Sequence, residues 1–294
     1  MKPEDLLTIV CRPALPKDTP EVMKFTQQIW EGEDYIPRVW QDWLNDYGCF
    51  LTVAEYDGQI VGIGRLTQLS PDEWWLEGLR IRPQYQGRGF ASHLHQYILS
   101  YWERKAGGTI RLGTASTRKK VHHLCEKNGF SRIAEFTLYK ATALNQVVTS
   151  CRHLTLDEDQ LAVDLISESP LIKLSHGLMD HGWEWSRPST SHLRNAIIKN
   201  KAYWWQDKRG LIIYRDEIEG DQRFLHIQLL VCPLESLEDC LLDYRRMGAI
   251  LGYESVIWLA PLHSDLQPVL RATGFERVWD DSLIIFEKKH NIVS

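Results

Sequence analysis

Two glycines between an extended segment and an amphipathic segment are the clearest candidates for chemistry in this sequence. They stand in the run Gln84-Tyr85-Gln86-Gly87-Arg88-Gly89, which follows residues 73–81 and precedes apolar residues at helical spacing. Glycine lets a backbone approach a ligand closely, and N–H groups at a helix start form a pocket for pyrophosphate oxygens. Ser92 replaces the third glycine of a dinucleotide-binding loop, and no Gly-Lys-Ser/Thr follows. The run therefore predicts a phosphate-binding loop and disfavours dinucleotides and nucleoside triphosphates.

Glu77 is an acidic residue in an apolar extended run directly before this loop. A carboxylate in such surroundings is costly unless it is paired or functional. Two interpretations stay open: a salt bridge to a nearby arginine such as Arg65, or a role toward a substrate. Strict alternation along the strand predicts that Glu77 shares a face with Trp75, Leu79 and Ile81.

The elements that must position these residues follow the order βααβββαβαβ over the first half of the chain. Asp18-Thr19-Pro20-Glu21 predicts a helix start, because it combines a capping residue, an early proline and a first-turn acid. Asp57-Gly58 stands between two extended runs and is a strong hairpin signal. The order predicts an α/β (α+β) fold with a mixed sheet covered by helices. The predicted strands are 8–12, 50–56, 59–66, 73–81, 109–113 and 136–140, and later helices cover 38–45, 91–101 and 119–128.

The second half of the chain repeats part of this pattern. Ile81-Arg82-Pro83 matches Val231-Cys232-Pro233, and Asn128-Gly129-Phe130 matches Thr273-Gly274-Phe275. A helix and then a strand are predicted between these anchors in both halves. Because the matches occur in the same order, they predict a duplicated domain.

Length and composition exclude several classes of protein. The chain has 294 residues, which suggests two domains of roughly 150 residues each. Its 44% hydrophobic and 25% charged residues are typical of globular proteins and unlike disordered, collagen or coiled-coil chains. A net charge of −5 gives no basic face for nucleic acid. No apolar run approaches the ~18 residues of a membrane span, so we expect neither nucleic acid nor membrane as a partner.

The cysteines and the N-terminal residues predict the cellular compartment of the protein. The six cysteines form no Cys-x-x-Cys pair and no Cys/His array with zinc spacing. We therefore expect free, mostly buried thiols, no metal, and a reducing, cytoplasmic location. Residues 1–10 include Lys2, Glu4 and Asp5 and do not have the pattern of a signal peptide.

The loop and a second motif together resemble the GNAT family of N-acetyltransferases. The chain has, in order, a predicted strand, Gln84-x-x-Gly87-x-Gly89, a helix, a strand and a helix. These are followed by Glu126-Lys127-Asn128-Gly129-Phe130. The resemblance covers residues 8–140, and 182–289 resemble the same fold again. It implies tandem GNAT (acyl-CoA N-acyltransferase) folds and an acetyl-CoA-dependent N-acetyltransferase, acting on the amine of a small molecule, with a free amino acid as one candidate.

The resemblance also implies where acetyl-CoA lies. In the family this loop binds the pyrophosphate, and pantetheine pairs with the strand end in a gap toward residues 110–113. Arg88 is favoured over Arg82 for added charge, although both also suit a solvated surface. The corresponding second-half loop, 234–239, has no glycine, so we expect that copy to have lost the cofactor site. The expected cofactor-binding residues are Leu79, Arg80, Ile81, Gln86, Gly87, Arg88, Gly89, Phe90 and Ala91.

The same resemblance implies which residues take part in catalysis. Acetyl transfer needs a neutral amine, so a base must take its proton, and the family commonly places a glutamate where Glu77 stands. Glu73 is a weaker candidate. Cys125 occupies the place of a tyrosine that often protonates the departing thiolate; it could donate a proton or simply pack.

The predicted acceptor segment lies in the first two helices and their connection. Glu33, Asp34 and Tyr35, together with Trp75, mix acids and aromatics that suit a cationic or zwitterionic acceptor. The alternative is a capped helix start with exposed acids. Glu33-Asp34-Tyr35 with Trp74-Trp75 loosely resembles acetyltransferases that act on free amino acids such as histidine.

The expected organisation is an active domain at 1–145, a connecting helical region at 146–181 and a degenerate copy at 182–294. Partners are acetyl-CoA and a small amine, and the chain is a monomer or a homodimer. Two alternatives stay open: a non-catalytic acetyl-CoA sensor, and an acyl- or aminoacyltransferase that uses another donor.

Overall fold

The computed structural model describes residues 9–105, 107–145 and 148–290, apart from the side chain of Glu31. The chain forms two compact units. Unit 1 contains the residues up to Leu112, Lys120–Ser131 and those from Phe286 onward, and unit 2 contains Gly113–Lys119 and Arg132–Ile285. In the described residues, no helix is both long enough and apolar enough to cross a membrane.

Unit 1 is a sheet whose strands run in sequence order, β1-β2-β3-β4-β5. Neighbours up to β4 are antiparallel, and β5 is parallel to β4. Its elements are β1 (Val10–Pro13), α1 (Thr19–Thr26), α2 (Ile36–Asn45), β2 (Cys49–Tyr56), β3 (Gln59–Ser70), β4 (Glu73–Ile81), α3 (Phe90–Lys105), β5 (Gly108–Ala115) and α4 (Lys119–Lys127).

Local sequence explains the hairpin and the first helix. Asp57 and Gly58 have φ of 52° and 68°, the left-handed conformations that a two-residue turn between β2 and β3 requires. Helix α1 follows Asp18, as predicted. The Asp18 carboxylate does not cap the helix; it accepts hydrogen bonds from Arg12 at 2.7 and 2.9 Å and from the Leu15 amide at 2.8 Å.

Helices cover both faces of the unit 1 sheet. On one face, Phe25 of α1 and Trp40 of α2 pack with Val53 and Ile63 of the sheet. On the other face α3 approaches closely, since a Cβ built on Gly64 would lie 2.7 Å from Ile98 Cδ1. The apolar spacing predicted for α3 therefore faces the sheet.

Unit 2 has the strand order β6-β13-β12-β11-β10-β7, with β14 paired to β6. The pair β12–β13 is parallel, like β4–β5. Its elements are β6 (Ser131–Thr142), β7 (Cys151–His153), α5 (Asp159–Glu168), α6 (Pro170–Leu174), β8 (Met179–Asp180), β9 (Trp185–Ser186), α7 (Thr190–Ile198), β10 (Ala202–Trp205), β11 (Gly210–Glu219), β12 (Gln222–Val231), α8 (Leu237–Ile250), β13 (Ser255–Pro261), α9 (Leu266–Ala272), β14 (Glu276–Arg277) and the start of β15 (Leu283–His290).

The same bulge occurs in both units. In unit 1, Ile63 pairs with Arg80 but Arg65 pairs with Glu77, so β4 carries one extra residue at Gly78. In unit 2, adjacent residues of β11 pair with Leu229 and Ile227, so Gln228 is the extra residue of β12. A shared strand order and a shared bulge support two copies of one fold.

The division into units differs from the expected domain bounds 1–145, 146–181 and 182–294. Residues 132–145 belong to unit 2, because β6 pairs antiparallel with β13, and 286–290 belong to unit 1, beside β5. The expected connecting region supplies β7, α5 and α6 of unit 2, and β7 pairs with β10. Residue 8, the start of the first predicted strand, and residue 146 lie outside the described residues.

Candidate cofactor and acceptor site

Strands β4 and β5 pair over a short stretch and then separate. In the described residues their parallel register joins Glu73–Trp75 to residues 109–111. Beyond it, Arg80 and Ile81 still pair with β3 on the other side. The pairing therefore ends before residues 79–81, as the resemblance implied for β4, whereas Ile110 and Arg111, which it placed along the gap, are paired with β4.

Gly78 marks the point where β4 changes direction. Its φ is +69°, and a Cβ there would lie 2.8 Å from Cζ3 of Trp43. A bulge bends its strand and re-aims the side chains that follow. Glycine is thus required both for the backbone conformation and for the close approach of α2.

The bulge overturns the predicted alternation. Glu77 and Arg80 pair with Arg65 and Ile63, which are two residues apart on β3, so Glu77 and Arg80 share a face. Leu79 lies toward α3, with its Cδ1 3.7 Å from a Cβ built on Gly64. Placing Leu79 and Ile81 on the face of Glu77 was wrong, because the extra residue reverses the alternation; a glycine inside a strand was the available signal.

The loop after β4 fits an anion. A turn at Pro83–Tyr85 precedes Gly87 and Gly89, which have φ of +80° and +82°, and a Cβ on either would meet no heavy atom within 4 Å. The Gly89 carbonyl accepts hydrogen bonds from the amides of Ser92 and His93 at 3.0 and 3.2 Å, so α3 starts directly after the loop. Open space in front of a helix start with free N–H groups suits pyrophosphate oxygens.

Some side chains of the loop contact other parts of the protein and hold the loop in place, and others are open to a ligand. Phe90 is buried and packs 6.1 Å from the ring of Tyr85, and Gln86 Nε2 donates to the Ile81 carbonyl at 3.2 Å. Arg88 is exposed, with its guanidinium 5.2 Å from the Tyr85 ring centroid. The neighbouring Ala91 is half-buried in the first turn of α3.

Arg82 turns away from the loop toward α1. Its guanidinium lies 3.8 Å from the Glu21 carboxylate and 5.6 Å from the Phe25 ring centroid. Of the two arginines considered from the sequence, Arg88 alone therefore stands on the loop itself.

Glu77 forms the ion pair that the sequence left open as an alternative. Nη1 of Arg65 donates to its carboxylate, and Nη2 of Arg65 donates to Asp46 at 2.6 Å. The guanidinium also lies 4.9 Å from the ring of Trp43. The Glu77 side chain remains 17% exposed, so the pairing orients its carboxylate without sealing it from solvent. Sequence reasoning missed Asp46.

The weaker candidates are buried. Glu73 binds Arg111 at 2.5 Å, and Arg111 also donates to Glu287 at 2.8 Å, which makes a buried triad with a structural role. Cys125 is 1% exposed on α4. Burial, with the charge of Glu126, raises the pKa of the Cys125 thiol to about 12, which favours a packing role.

In the predicted acceptor segment, Asp34 is paired with Arg80, which was predicted to bind the cofactor. Asp34 accepts hydrogen bonds from Nε and Nη2 of Arg80 at 3.0 and 3.2 Å. The Asp34 side chain is fully buried, whereas that of Arg80 is 11% exposed. The guanidinium, rather than the acid, is therefore the more accessible charge. Glu33 is exposed and Trp75 is buried.

Two aromatic residues flank Arg80. The Trp30 ring lies 4.3 Å from its guanidinium carbon, and the Tyr35 ring lies 5.2 Å away. Trp30, which the sequence reasoning did not single out as a ligand, is 41% exposed and has a φ of +50°, a strained value for a bulky residue. Tyr35 packs edge-on at 6.0 Å from Trp43, and burial raises its pKa to about 12.

The second copy differs at the corresponding places. Its loop is a turn at Leu234–Ser236 that leads into α8, whose first turn carries Glu238 and Asp239. Gln228 fills the bulge and donates to the Asp180 carbonyl at 2.9 Å. Tyr214 pairs with Ile227 in the second copy at the place where Arg65 pairs with Glu77 in the first.

No group of three or more histidine, cysteine, aspartate or glutamate side chains within residues 9–105, 107–145 and 148–290 is arranged to hold a metal ion. The six cysteines, all within these ranges, are free thiols.

Residues 19–130 match the model of the acetyltransferase (GNAT) family. The histidine N-acetyltransferase of Xenopus tropicalis is 30% identical over 87 residues, 29% of this chain and 27% of that relative. The probable N-acetyltransferase 16 of Homo sapiens is 27% identical over 219 residues, 67% of this chain and 58% of the relative. The chain thus spans less than two thirds of these relatives.

A solved tandem GNAT protein from the clavulanic acid biosynthesis pathway superposes with a TM-score of 0.58. The likeness covers 98% of this chain and all of that one at 13% identity, so it concerns the fold. Residues 19–130 therefore belong to the acetyltransferase (GNAT) family, and the chain as a whole has the tandem GNAT fold.

Proposed function

We propose that this chain is an acetyl-CoA-dependent N-acetyltransferase acting on the amine of a small molecule, with free amino acids as the first acceptor class. The observation that carries this is the gap between β4 and β5 beside the open Gly87–Gly89 loop at the start of α3. The family match over residues 19–130 includes both features. Likeness to a histidine N-acetyltransferase supports the acceptor class.

The residues present suit the cofactor. Backbone N–H groups of residues 87–91 would hold the pyrophosphate, Arg88 would add charge, and the backbone of Leu79, Arg80 and Ile81 would meet the pantetheine amides. Acetyl-CoA, when bound, supplies an activated thioester carbonyl. The anchors Phe90 and Gln86 keep the loop in place.

Glu77 is the proposed base. An amine that is protonated at neutral pH must lose a proton before it attacks, and a carboxylate in hydrogen-bond reach can take it. Arg65 fixes the orientation of Glu77, while Asp46 shares the charge of that arginine. Cys125 then packs the core, and water protonates the departing thiolate.

The second copy is proposed to bind no cofactor. Its loop has no glycine, and Glu238 and Asp239 place two carboxylates where phosphates would gain from the helix start. Gln228 occupies the bulge at which the first copy has Gly78. We therefore expect one acetyl-CoA site per chain.

Binding is tested by thermal shift and calorimetry. Acetyl-CoA should raise the melting temperature by mass action, and Gly89→Glu should abolish the rise. Gly220→Glu is the matched control, because Gly220 also has a positive φ (+59°) and open space around a built Cβ. Equal shifts in both variants would remove the loop from the site, and two sites per chain would overturn the degenerate second copy.

Turnover is tested by release of the coenzyme A thiol with a panel of amines that includes L-histidine. The proposal expects release that requires both acetyl-CoA and an amine. Binding without release on any amine would refute it in favour of a sensor, whereas activity only with another acyl donor would favour the acyltransferase alternative.

A further inference from the structure

The Arg80 guanidinium is held rigidly on the same face of the sheet as Glu77. Asp34 contacts it through Nε and Nη2, and the Trp30 and Tyr35 rings lie against it. Such a setting fixes the plane and direction of the fork before any ligand arrives, which lowers the entropy lost on binding.

The contact with Asp34 leaves one edge of that fork available. Arginine has five N–H donors. Asp34 takes one on Nε and one on Nη2, and Nη1 donates to the Leu79 carbonyl at 3.4 Å. In the described residues these three hydrogen bonds leave one donor on each Nη atom, beside the Tyr35 side chain, which also interacts with the guanidinium, and this pair matches the two oxygens of a carboxylate.

Three other arginines of unit 1 bind two carboxylates each. Arg12 contacts Asp18 and Glu55, Arg65 contacts Asp46 and Glu77, and Arg111 contacts Glu73 and Glu287. In the described residues, the carboxylate paired with Arg80 is that of Asp34. A second carboxylate on Arg80 would repeat an arrangement that this unit uses three times.

The spacing suits one particular kind of acceptor. Glu77 and Arg80 lie opposite residues two apart on β3, so their backbones are about 7 Å apart along the strand and their side chains leave the same face. The amine nitrogen and carboxylate carbon of an α-amino acid are about 2.5 Å apart, and with a hydrogen bond of about 3 Å at each end the acceptor spans a similar length.

We propose that Arg80 binds the carboxylate of the acceptor, so that the chain acetylates the α-amine of a free amino acid and discriminates against the same amine without a carboxylate. This rests on the proposed function and deepens it. Arg80 is then a specificity-determining residue, while Asp34, Trp30 and Tyr35 position it.

The experiment compares kcat/KM for L-histidine and for L-histidinamide, which carries a neutral amide in place of the carboxylate. The parent chain should prefer the acid by about 10²-fold or more, as sites built to bind a polar group do. Arg80→Met should bring that ratio near one, mainly by raising KM for the acid, and Arg80→Lys should restore part of it. Comparing variants on the same acceptor pair cancels the different basicities of the two amines.

Arg82→Met is the matched control, because it makes the same substitution two residues along the chain, where the guanidinium turns toward Glu21. It should retain the preference for the acid. The double variant Asp34→Asn with Arg80→Met leaves neither charge unpaired, and it serves if Arg80→Met alone fails to fold. Acetyl-CoA binding by thermal shift shows which variants are folded.

The outcomes are distinct. Equal activity of the parent on acid and amide, or an unchanged ratio in folded Arg80→Met or in the double variant, would overturn the role of Arg80 while the proposed function stands. No turnover of either compound by an acetyl-CoA-binding parent would overturn the proposed acceptor class and this inference with it.

Discussion

Replacing Glu77 by glutamine separates proton transfer from the other roles this carboxylate could have. Glutamine keeps the shape of the side chain and an oxygen that can accept from Arg65, but it cannot accept a proton. Arg65 also keeps its 2.6 Å contact with Asp46, so the guanidinium stays paired. We therefore expect the free energy of unfolding to fall by only about 1–2 kcal/mol, and acetyl-CoA affinity to stay unchanged.

If Glu77 is the base, kcat should fall by roughly 10²–10⁴-fold, the usual range for loss of a general base. The loss should shrink between about pH 7 and about pH 9.5, because a larger fraction of the acceptor amine is neutral at the higher pH. The assay is thiol release at saturating acetyl-CoA, with turnover expressed per folded, cofactor-binding molecule.

Asp46→Asn provides the matched control, since it removes the other carboxylate on Arg65 and makes the same change in charge. It should leave kcat close to that of the parent. Equal losses of kcat in Glu77→Gln and Asp46→Asn would refute the base assignment and assign both acids to holding Arg65. A rise in KM with kcat unaltered would instead mean that Glu77 positions the ammonium group.

Two further predictions concern residues outside the transfer step. Cys125→Ala should lower the melting temperature and leave kcat unchanged, because the thiol is buried and its pKa is raised to about 12; a collapse of kcat in folded protein would make Cys125 the acid. Burial alone would lower the pKa of His226, but hydrogen bonds to Asp180 and Glu217 raise it above its ordinary value, with Arg215 opposing. The stability this provides is complete below about pH 6.5 and is lost as pH rises through the folded-state pKa, so urea unfolding at a series of pH values from about 6.5 upward should show the parent losing its advantage over His226→Gln. A difference that stays constant over that interval would contradict it.

Local features of the fold were predictable because their causes are local. Strand β4 spans Glu73–Ile81 as predicted, and Asp57-Gly58 makes the expected hairpin turn. The loop at residues 84–89 lies between strand and helix, since its glycines and the apolar spacing of α3 both act over short stretches.

Features set by distant partners were not predictable from one sequence. The pairing of β6 with β13 joins Thr142 to Ser255, and nothing local to either strand specifies that partner. The same holds for Asp34 and Arg80, which were assigned to the acceptor and the cofactor but bind each other. Alternation failed at Gly78 because a bulge depends on how β4 aligns with β3, not on the composition of β4 alone.

The bulge explains why the two copies can share a backbone and still differ in chemistry. In the first copy, Trp43 lies so close to residue 78 that any side chain there would clash with its ring. Because the same ring packs against the Arg65 guanidinium, Trp43 can keep this position only if residue 78 is glycine. In the second copy, the extra residue is Gln228, whose amide donates a hydrogen bond to the Asp180 carbonyl. The loop without glycine is a separate change, which begins six residues further along the chain. Because the two changes lie on different elements, loop composition alone underestimates how far the second copy has departed from the first.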